Sequence, residues 1–417
     1  MDAPARGRRR VVADVNLAHA HGAGNRAWVS PPSPGAASAL PLRIVEIAGI
    51  GPGQLCGMLL AEMGADVLRI TRLGAADPGL GLPPRFDLMN RSRPALPVDL
   101  KHPDGVELVL QLCERADVLF EGFRPGVMER LGLGPADCMD RNPRLVYGRM
   151  TGWGQDGPLA QEAGHDANYL ALSGALGAIG ERDGPPVLPL NLVADFGGGG
   201  LYLALGLLAA LLETSRSGRG QVVDAAMADG VASMTTLFHG LMAAGFWQER
   251  RGSNVLDGGA PFMRSYATGD GGFVAVAALE RRFYRNLLEV LGLGGVDPDG
   301  QFDTRLWPQT AQRMAEVFLT RSRDEWAAAF AGREACVTPV LTLTEATRHP
   351  HHVARGTYVE VDGIAQPGPA PRFSRTPGAV TGGPREPGVG ASDALSAWGV
   401  KDDELRRLAG AGVVRLR

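Results

Sequence analysis

The stretch LRIVEIAGIGPGQLCGMLLAEMGADVLRITR, residues 42–72, decides the fold of this chain. It opens with a short apolar run typical of a buried strand, passes through a glycine-rich turn into a helical pattern, and closes with a second apolar run. Strand, helix and strand in this order form a βαβ unit, in which the two strands are parallel. The stretch therefore predicts an α/β fold built on a parallel sheet.

The alternation of helices and short apolar strands continues to about residue 225. The helical pattern DGVELVLQLCERA leads into DVLFEGF, and the strand-like runs RLVYGRMTGWG and QVVDAAM follow later. Repeated alternation of this kind is typical of a doubly wound parallel sheet. We therefore expect residues 41–225 to form a large domain of this class.

The rest of the chain follows a different pattern. After a linker helix over residues 226–262, two strand-like runs joined by Gly-Asp-Gly-Gly and several helical runs predict a smaller α+β domain over residues 263–350. Residues 351–417 are expected to form a return linker and a C-terminal helix. Residues 1–40 are rich in arginine and lack apolar periodicity, which predicts a disordered extension.

The composition argues against several classes of function. With 42 basic and 45 acidic residues, the formal net charge of −3 gives no general attraction to nucleic acid or to acidic membranes.

The longest apolar run, residues 201–212, is shorter than the roughly 20 residues that span a bilayer, so we expect a buried helix and no membrane segment. The four cysteines are scattered and suit a reducing cytoplasm, and HPHH at 349–352 lacks partners for a metal.

The glycine-rich turn at residues 49–53 lies where a dinucleotide-binding fingerprint would be found. The GxGxxG pattern fails at its third glycine, where this chain has Gln54. The second strand ends in Arg72 instead of the acid that would hold a ribose hydroxyl. An arginine there suits a phosphate, such as that of NADP or the 3'-phosphate of coenzyme A, although a solvated surface arginine is the simpler alternative.

Further basic residues lie near strand–helix junctions, where anion sites tend to form. They are Lys101, Arg124 and Arg130. Each alone is readily explained as surface charge. Together on one edge of a sheet they would suit a polyanionic ligand.

Three polar residues are candidates for acid–base chemistry. His165 follows a glycine and precedes Asp166 at the start of a predicted helix, and Asp195 precedes four glycines and an apolar helix. Helix capping explains such residues equally well. Four successive glycines, however, favour a backbone that lies close to a ligand. Glu280 ends an apolar run, and an acid at the end of a buried strand is often functional or paired.

Several motifs in order resemble the α-methylacyl-CoA racemases of the family III CoA-transferase superfamily. The resemblance runs from about Leu42 to the C-terminal helix and rests on RIVEIAGIGPGQLCGMLLAEMGADVLRI, EGFRPGVMERLGLGP, AGHDANYLALSGAL, LNLVADFGGGG, SGRGQVVDAAM, LDGGAPF and ACVTPVL. It implies an interlocked homodimer in which Glu280 acts in the partner's site. One departure is that Arg281 and Arg282 replace a proline and a glutamine of the family pattern.

The resemblance also implies the site residues. His165, Asp195 and Glu280 match the family's proton-transfer groups. The positions that match CoA contacts are Arg72, Val98, Asp99, Leu100, Lys101, Gly122, Phe123, Arg124, Arg130, Gly164, Asp166, Ala167, Asn168 and Tyr169.

The implied reaction inverts the α-carbon of a 2-methylacyl-CoA through a planar enolate, with one base on each face. Asp195 would serve one face, and His165, oriented by Glu280, the other. The backbone N–H of Asp166 would stabilise the enolate oxygen. No metal or cofactor is expected beyond the CoA of the substrate. The alternatives are a CoA-transferase with Asp195 as nucleophile, an NADP-dependent oxidoreductase and a non-catalytic CoA-binding protein.

Overall fold

A computed structural model describes residues 40–74 and 81–417 of the chain. All but the last residue of the extension predicted over residues 1–40 lies outside this described part. The strands are β1 Arg43–Ile47, β2 Asp66–Arg72, β3 Ala95–Val98, β4 Val118–Glu121, β5 Val146–Thr151, β6 Val222–Ala226, β7 Met263–Ala267, β8 Phe273–Ala277, β9 Val337–Pro339, β10 Tyr358–Val361 and β11 Ile364–Pro367.

The helices account for most of the remaining regular structure. They are α1 Pro52–Glu62, α2 Pro103–Cys113, α3 Val127–Arg130, α4 Pro135–Arg141, α5 Asp166–Leu172, α6 Ala175–Ala178, α7 Tyr202–Ser217, α8 Met227–Met234, α9 Thr236–Ala243, α10 Arg281–Val290, α11 Trp307–Phe318, α12 Arg323–Phe330, α13 Leu343–Arg348, α14 Pro350–Arg355, α15 Ala391–Ala397 and α16 Asp402–Gly410. A π-helix, Leu192–Leu201, runs directly into α7.

Six parallel strands form the main sheet in the order β3-β2-β1-β4-β5-β6. This confirms the parallel α/β sheet predicted from the sequence. The order reverses between β1 and β4, and open α/β sheets bind ligands at the carboxyl ends of the strands next to such a reversal. The sequence did not identify β3, a four-residue strand that contains Pro97. As an edge strand, β3 tolerates a proline that a central strand would not.

Hydrophobic cores cover both faces of the sheet, as the alternation of strand side chains requires. On one face, Val45 and Leu68 pack with residues of α2, α4, α15 and α16, including Trp398. On the other face, Ile44 and Phe120 pack with residues of α1, α5, the π-helix and α7. The functional segments described below connect elements of these two layers.

The sequence predicted a buried apolar helix at residues 201–212, but this helix is buried on only one face. Leu203 and Leu207 are fully buried, but Leu201, Leu205 and Leu212 on another face are 51%, 65% and 56% exposed. The helical run is also longer than the apolar run suggested, because Leu192–Ser217 is continuous. By length and composition this 26-residue run could cross a membrane, a test that core helices of soluble proteins also pass.

A second, antiparallel sheet in the order β7-β8-β9 packs with α10, α11 and α12. The β7–β8 hairpin agrees with the two strand-like runs recognised in the sequence. Its aromatic core includes Phe262, Phe318 and Trp326, all of which are buried. The predicted limits of the domains and linkers stay a prediction.

Candidate active site

The carboxyl edge of the main sheet gathers most of the positions predicted to contact CoA. Arg72 is the last residue of β2 and pairs in register with Val98, the last residue of β3. Residues 99–101 and 122–124 follow β3 and β4 at the same edge, since all the strands are parallel. The basic side chains at this edge and in the adjoining α3 are exposed: Arg72, Lys101, Arg124 and Arg130.

Not every position of this group faces solvent. Val98 is buried, Leu100 and Phe123 pack against the core, and Asp99 caps the following turn by accepting the Lys101 N–H at 3.0 Å. Their side chains shape the edge. The exposed cations supply the positive charge that would attract an anionic ligand.

The turn after β1 explains why the dinucleotide fingerprint fails. Gly51 has a φ of +76°, which favours glycine. The Gln54 Oε1 atom accepts the Gly51 N–H at 3.0 Å, and Gln54 Nε2 donates to Asn90 Oδ1 at 3.1 Å. Gln54 therefore caps its own helix at the position where a dinucleotide-binding unit has its third glycine.

Asp195 lies over this turn. A Cβ atom placed on Gly51 would be 3.2 Å from Asp195 Oδ2, and Asn191 Nδ2 donates to the same oxygen at 3.2 Å. Asp195 lies inside the π-helix, and Asn191 is the N-cap, so capping does not explain Asp195. Partial burial raises the pKa of Asp195. The Asn191 hydrogen bond opposes that rise, the Asp166 charge adds to it, and the His165 charge opposes it.

A buried carboxylate, Asp166, connects α5 to the π-helix. Its Oδ2 atom accepts the backbone N–H of Ala194 at 2.9 Å and that of Asp195 at 2.8 Å. Its Oδ1 atom is buried and has no hydrogen-bond partner in the described part of the chain. Sequence reasoning gave Asp166 a helix-capping role, a CoA contact and a backbone N–H for the enolate oxygen, but no link to the π-helix. The side-chain role was missed because both donors are 28 and 29 residues away.

His165 is the N-cap residue of α5, and its side chain is exposed. Its backbone N–H donates to Asn168 Oδ1 at 3.0 Å, which closes the first turn of the helix. His165 directly precedes Asp166, whose carboxylate accepts the Asp195 backbone N–H at 2.8 Å. The structure thus brings together two of the three predicted proton-transfer groups.

Tyr169 fixes the segment before α5. Its hydroxyl donates to the Gly164 carbonyl, and its ring packs edge-on against Trp153 with centroids 4.8 Å apart. A Cβ atom on Gly164 would be 2.7 Å from the Tyr169 ring, so only glycine fits. Ala167 is half-buried beside them. This packing holds the backbone on both sides of His165.

The glycines after Asp195 pack against neighbouring protein elements, and this packing accounts for them without a ligand. A Cβ atom on Gly198 would be 2.9 Å from the Val231 nitrogen, and one on Gly200 would be 2.7 Å from the Pro52 oxygen. Gly199 is similarly close to Met227 and Pro52. The glycines allow the π-helix to approach α1 and α8 closely.

Glu280 differs from its expected setting. β8 ends at Ala277, and Glu280 is an exposed N-cap residue of α10 instead of an acid at the end of a buried strand. Within the described residues of a single chain, no hydrogen bond or ion pair joins Glu280 to His165 or Asp195. Nearby, Arg281 forms an ion pair with Asp299 at 2.7 Å. The Arg282 guanidinium lies over the Phe283 ring at 4.4 Å.

Comparisons with known proteins agree on one family. The model of CoA-transferase family III matches residues 41–393. The α-methylacyl-CoA racemase of Mus musculus is 45% identical over 371 residues, covering 88% of this chain and 95% of that protein. The human α-methylacyl-CoA racemase is 42% identical over 372 residues, with coverage of 88% and 95%. A CAIB/BAIF family crystal structure from Brucella suis is 25% identical, with a TM-score of 0.74 and coverage of 86% and 98%.

Proposed function

This chain belongs to CoA-transferase family III, and within that family we propose that it racemises the α-carbon of 2-methylacyl-CoA thioesters. The observation that carries the proposal is the link between two predicted proton-transfer groups: Asp166, next to His165, accepts the Asp195 backbone N–H at 2.8 Å. Relatives of the same family that are named racemases, at 42–45% identity, support this choice of reaction.

The proposed reaction moves one proton off and one proton on. Ionised Asp195 or neutral His165 takes the α-proton as H⁺, and the C–H electron pair becomes the C=C bond of an enolate while the thioester C=O becomes C–O⁻. The other group, which begins protonated, returns a proton to the opposite face. Each such group contributes on the order of 10² to 10⁴ in rate.

The first turn of α5 is suited to stabilise the enolate. The Asp166 backbone N–H is the first of the helix and donates to no acceptor in the described part of the chain. An N–H at a helix N-terminus favours developing negative charge on oxygen. This proposal assigns that N–H to the thioester oxygen. The chemistry needs no cofactor other than the CoA of the substrate.

The CoA moiety is proposed to lie along the carboxyl edge of the sheet. Arg72, Lys101, Arg124 and Arg130 are exposed there, and phosphates are bound most strongly by such cations. The order reversal between β1 and β4 supports the same edge. The turns after β1 and β4 lie side by side at this reversal, because a Cβ atom on Gly49 would be 4.0 Å from the Gly122 Cα.

We also propose an interlocked homodimer in which Glu280 orients His165 of the partner. Two observations support it. No hydrogen bond or ion pair joins Glu280 to His165 of its own chain within the described residues, and the π-helix–α7 run exposes Leu201, Leu205 and Leu212. Exposed apolar faces of this kind favour burial against another chain. A reducing cytoplasm remains the proposed location, in keeping with free Cys56, Cys113 and Cys138.

Complementation between two inactive variants tests the dimer. Chains that carry His165→Ala are co-expressed with chains that carry Glu280→Ala. If Glu280 acts in the partner's site, each heterodimer has one intact site, and random pairing restores about a quarter of wild-type activity. No restored activity, with each variant folded and dimeric by light scattering, would refute action in the partner's site. A monomeric mass for the wild type would refute the dimer.

The experiment that tests the reaction itself starts from a single enantiomer. Chiral chromatography follows the product formed from a (2R)-2-methylacyl-CoA, with a free carboxylic acid and hydroxylamine present in parallel reactions. Formation of the 2S thioester is expected, without CoA transfer to the acid. A hydroxamate on Asp195 together with CoA transfer would instead identify a transferase that uses Asp195 as nucleophile.

A further inference from the structure

A buried ion pair joins the adjacent strands β4 and β5 near the carboxyl edge of the main sheet, where CoA is proposed to bind. Glu121, the last residue of β4, is the register partner of Arg149 in β5. Arg149 Nε donates to Glu121 Oε1 at 3.2 Å, and their side chains are 9% and 1% exposed. The other carboxylate oxygen, Glu121 Oε2, accepts the Phe123 N–H at 2.6 Å. One carboxylate therefore fixes the first turn after β4.

The same guanidinium reaches the far side of this segment. Arg149 Nη1 donates to Glu129 Oε1 at 2.8 Å, and Nη2 donates to Glu129 Oε2 at 3.3 Å. Such a two-point contact fixes orientation as well as distance. Glu129 lies in α3, next to Arg130. Arg149 therefore holds both ends of residues 121–129 through two carboxylates.

The segment between these two anchors is a turn that leads into α3. It contains Pro125 and Gly126, and Gly126 has a φ of +81°. It carries two of the exposed cations, Arg124 and Arg130, with Arg124 between the anchored residues and Arg130 directly after Glu129. Long side chains on an unanchored turn lose more conformational entropy when they bind a ligand.

We propose that Arg149, held by Glu121 and Glu129, is a positioning residue for CoA binding that pre-organises residues 122–130. It contacts no reacting atom, and it acts through the segment that carries Arg124 and Arg130. This inference rests on the proposed function, because it assumes that acyl-CoA binds at this edge. Pre-organisation lowers the entropic cost of binding and leaves the proton-transfer groups unchanged. The effect therefore belongs to KM and to CoA affinity, with little effect on kcat.

Glu129→Gln is the informative variant. The Glu129 side chain is 45% exposed, so its replacement leaves no unpaired buried carboxylate and should not impair folding. A matched control is Glu107→Gln. Glu107 is 44% exposed and pairs with Arg141 at 2.6 Å in a contact between α2 and α4. A second test, Glu121→Gln with Arg149→Met, removes both buried charges together, so neither remains uncompensated.

Titration calorimetry with CoA and steady-state racemisation are measured on the full chain. For Glu129→Gln we expect roughly a five- to tenfold rise in both Kd and KM, with kcat within about twofold of wild type. The Glu121→Gln, Arg149→Met variant should show at least the same rise, and Glu107→Gln none.

Three results would overturn the inference while leaving the proposed function intact. They are unchanged CoA affinity in both test variants, an equal loss in the Glu107→Gln control, or a fall in kcat at constant KM. Each requires a wild type that binds CoA and racemises its substrate. A wild type that binds no CoA would overturn the proposed function itself, and this inference with it.

Discussion

Asp166 offers the sharpest separation of geometry from charge at this site. Its carboxylate accepts hydrogen bonds from two backbone N–H groups, and both donate to the same oxygen, Oδ2. An asparagine can place its carbonyl oxygen there and keep both hydrogen bonds while it removes the negative charge. An alanine removes the acceptor altogether. The two variants therefore test the charge and the position of Asp195 separately.

The cost in stability follows from the kind of hydrogen bond lost. Hydrogen bonds to a charged group contribute about 1.5–3 kcal/mol each, and neutral ones about 0.5–1.5 kcal/mol. Asp166→Asn is therefore expected to lower the free energy of unfolding by roughly 2 kcal/mol, and Asp166→Ala by roughly 3–6 kcal/mol. Urea unfolding followed by circular dichroism measures both values.

The effect on catalysis has a definite sign. The negative charge of Asp166 is one of the causes that raise the pKa of Asp195, after burial. Removing that charge lowers the pKa of Asp195, so the base is ionised at lower pH. In the pH profile of kcat/KM for Asp166→Asn, the limb due to Asp195 should move to lower pH. Asp166→Ala should lose kcat as well, because the backbone at Asp195 is no longer held.

Two results would refute this reasoning. One is an unchanged or upward-shifted limb in Asp166→Asn, since a neutral residue cannot raise the pKa of Asp195 by its charge. The other is an Asp166→Ala variant that unfolds at the same urea concentration as wild type. The first would disprove the electrostatic link and the second the structural one.

Two further predictions concern stability. Burial raises the pKa of Glu121 from 4.5 to about 7, so the folded protein keeps a proton that the unfolded chain releases across that range. The free energy of unfolding of wild type, relative to that of Glu121→Gln, should fall by roughly 3 kcal/mol as the pH rises from about 4.5 to 7, and then stay level. A relative stability that rises with pH would contradict the assignment. Gly199→Ala places a Cβ atom 2.8 Å from Met227 Cγ and 3.0 Å from Pro52 Cβ, and should lower the free energy of unfolding by about 1–3 kcal/mol. Gly294→Ala, with no atom within 4 Å of the new Cβ, is the control, and an equal loss in both variants would show that packing is not the cause.

Local patterns in the sequence were enough to predict five of the six strands of the main sheet. The strand, turn and helix of residues 42–72 differ enough in periodicity to be read directly, and they became β1, α1 and β2. Strand β3 was not predicted because four residues with a central proline carry almost no strand signal. Its edge position, and its bridge from Val98 to Val414 across most of the chain, could not be inferred locally.

Tertiary contacts account for the other differences. The Asp166 carboxylate binds backbone groups of Ala194 and Asp195, and no spacing rule links residues so far apart. The glycines after Asp195 were assigned to a ligand because the sequence does not show that α1 and α8 press against them. The apolar side chains of α7 predict a helix that packs against other elements. They do not show which face of that helix is covered within a single chain.

The central claim is tested most directly by proton NMR of a (2R)-2-methylacyl-CoA with the enzyme in D₂O. The account predicts replacement of the α-hydrogen by deuterium together with loss of optical purity. Asp195→Asn should abolish racemisation. No deuterium at the α-carbon, coupled with transfer of CoA to an added carboxylic acid, would contradict the account.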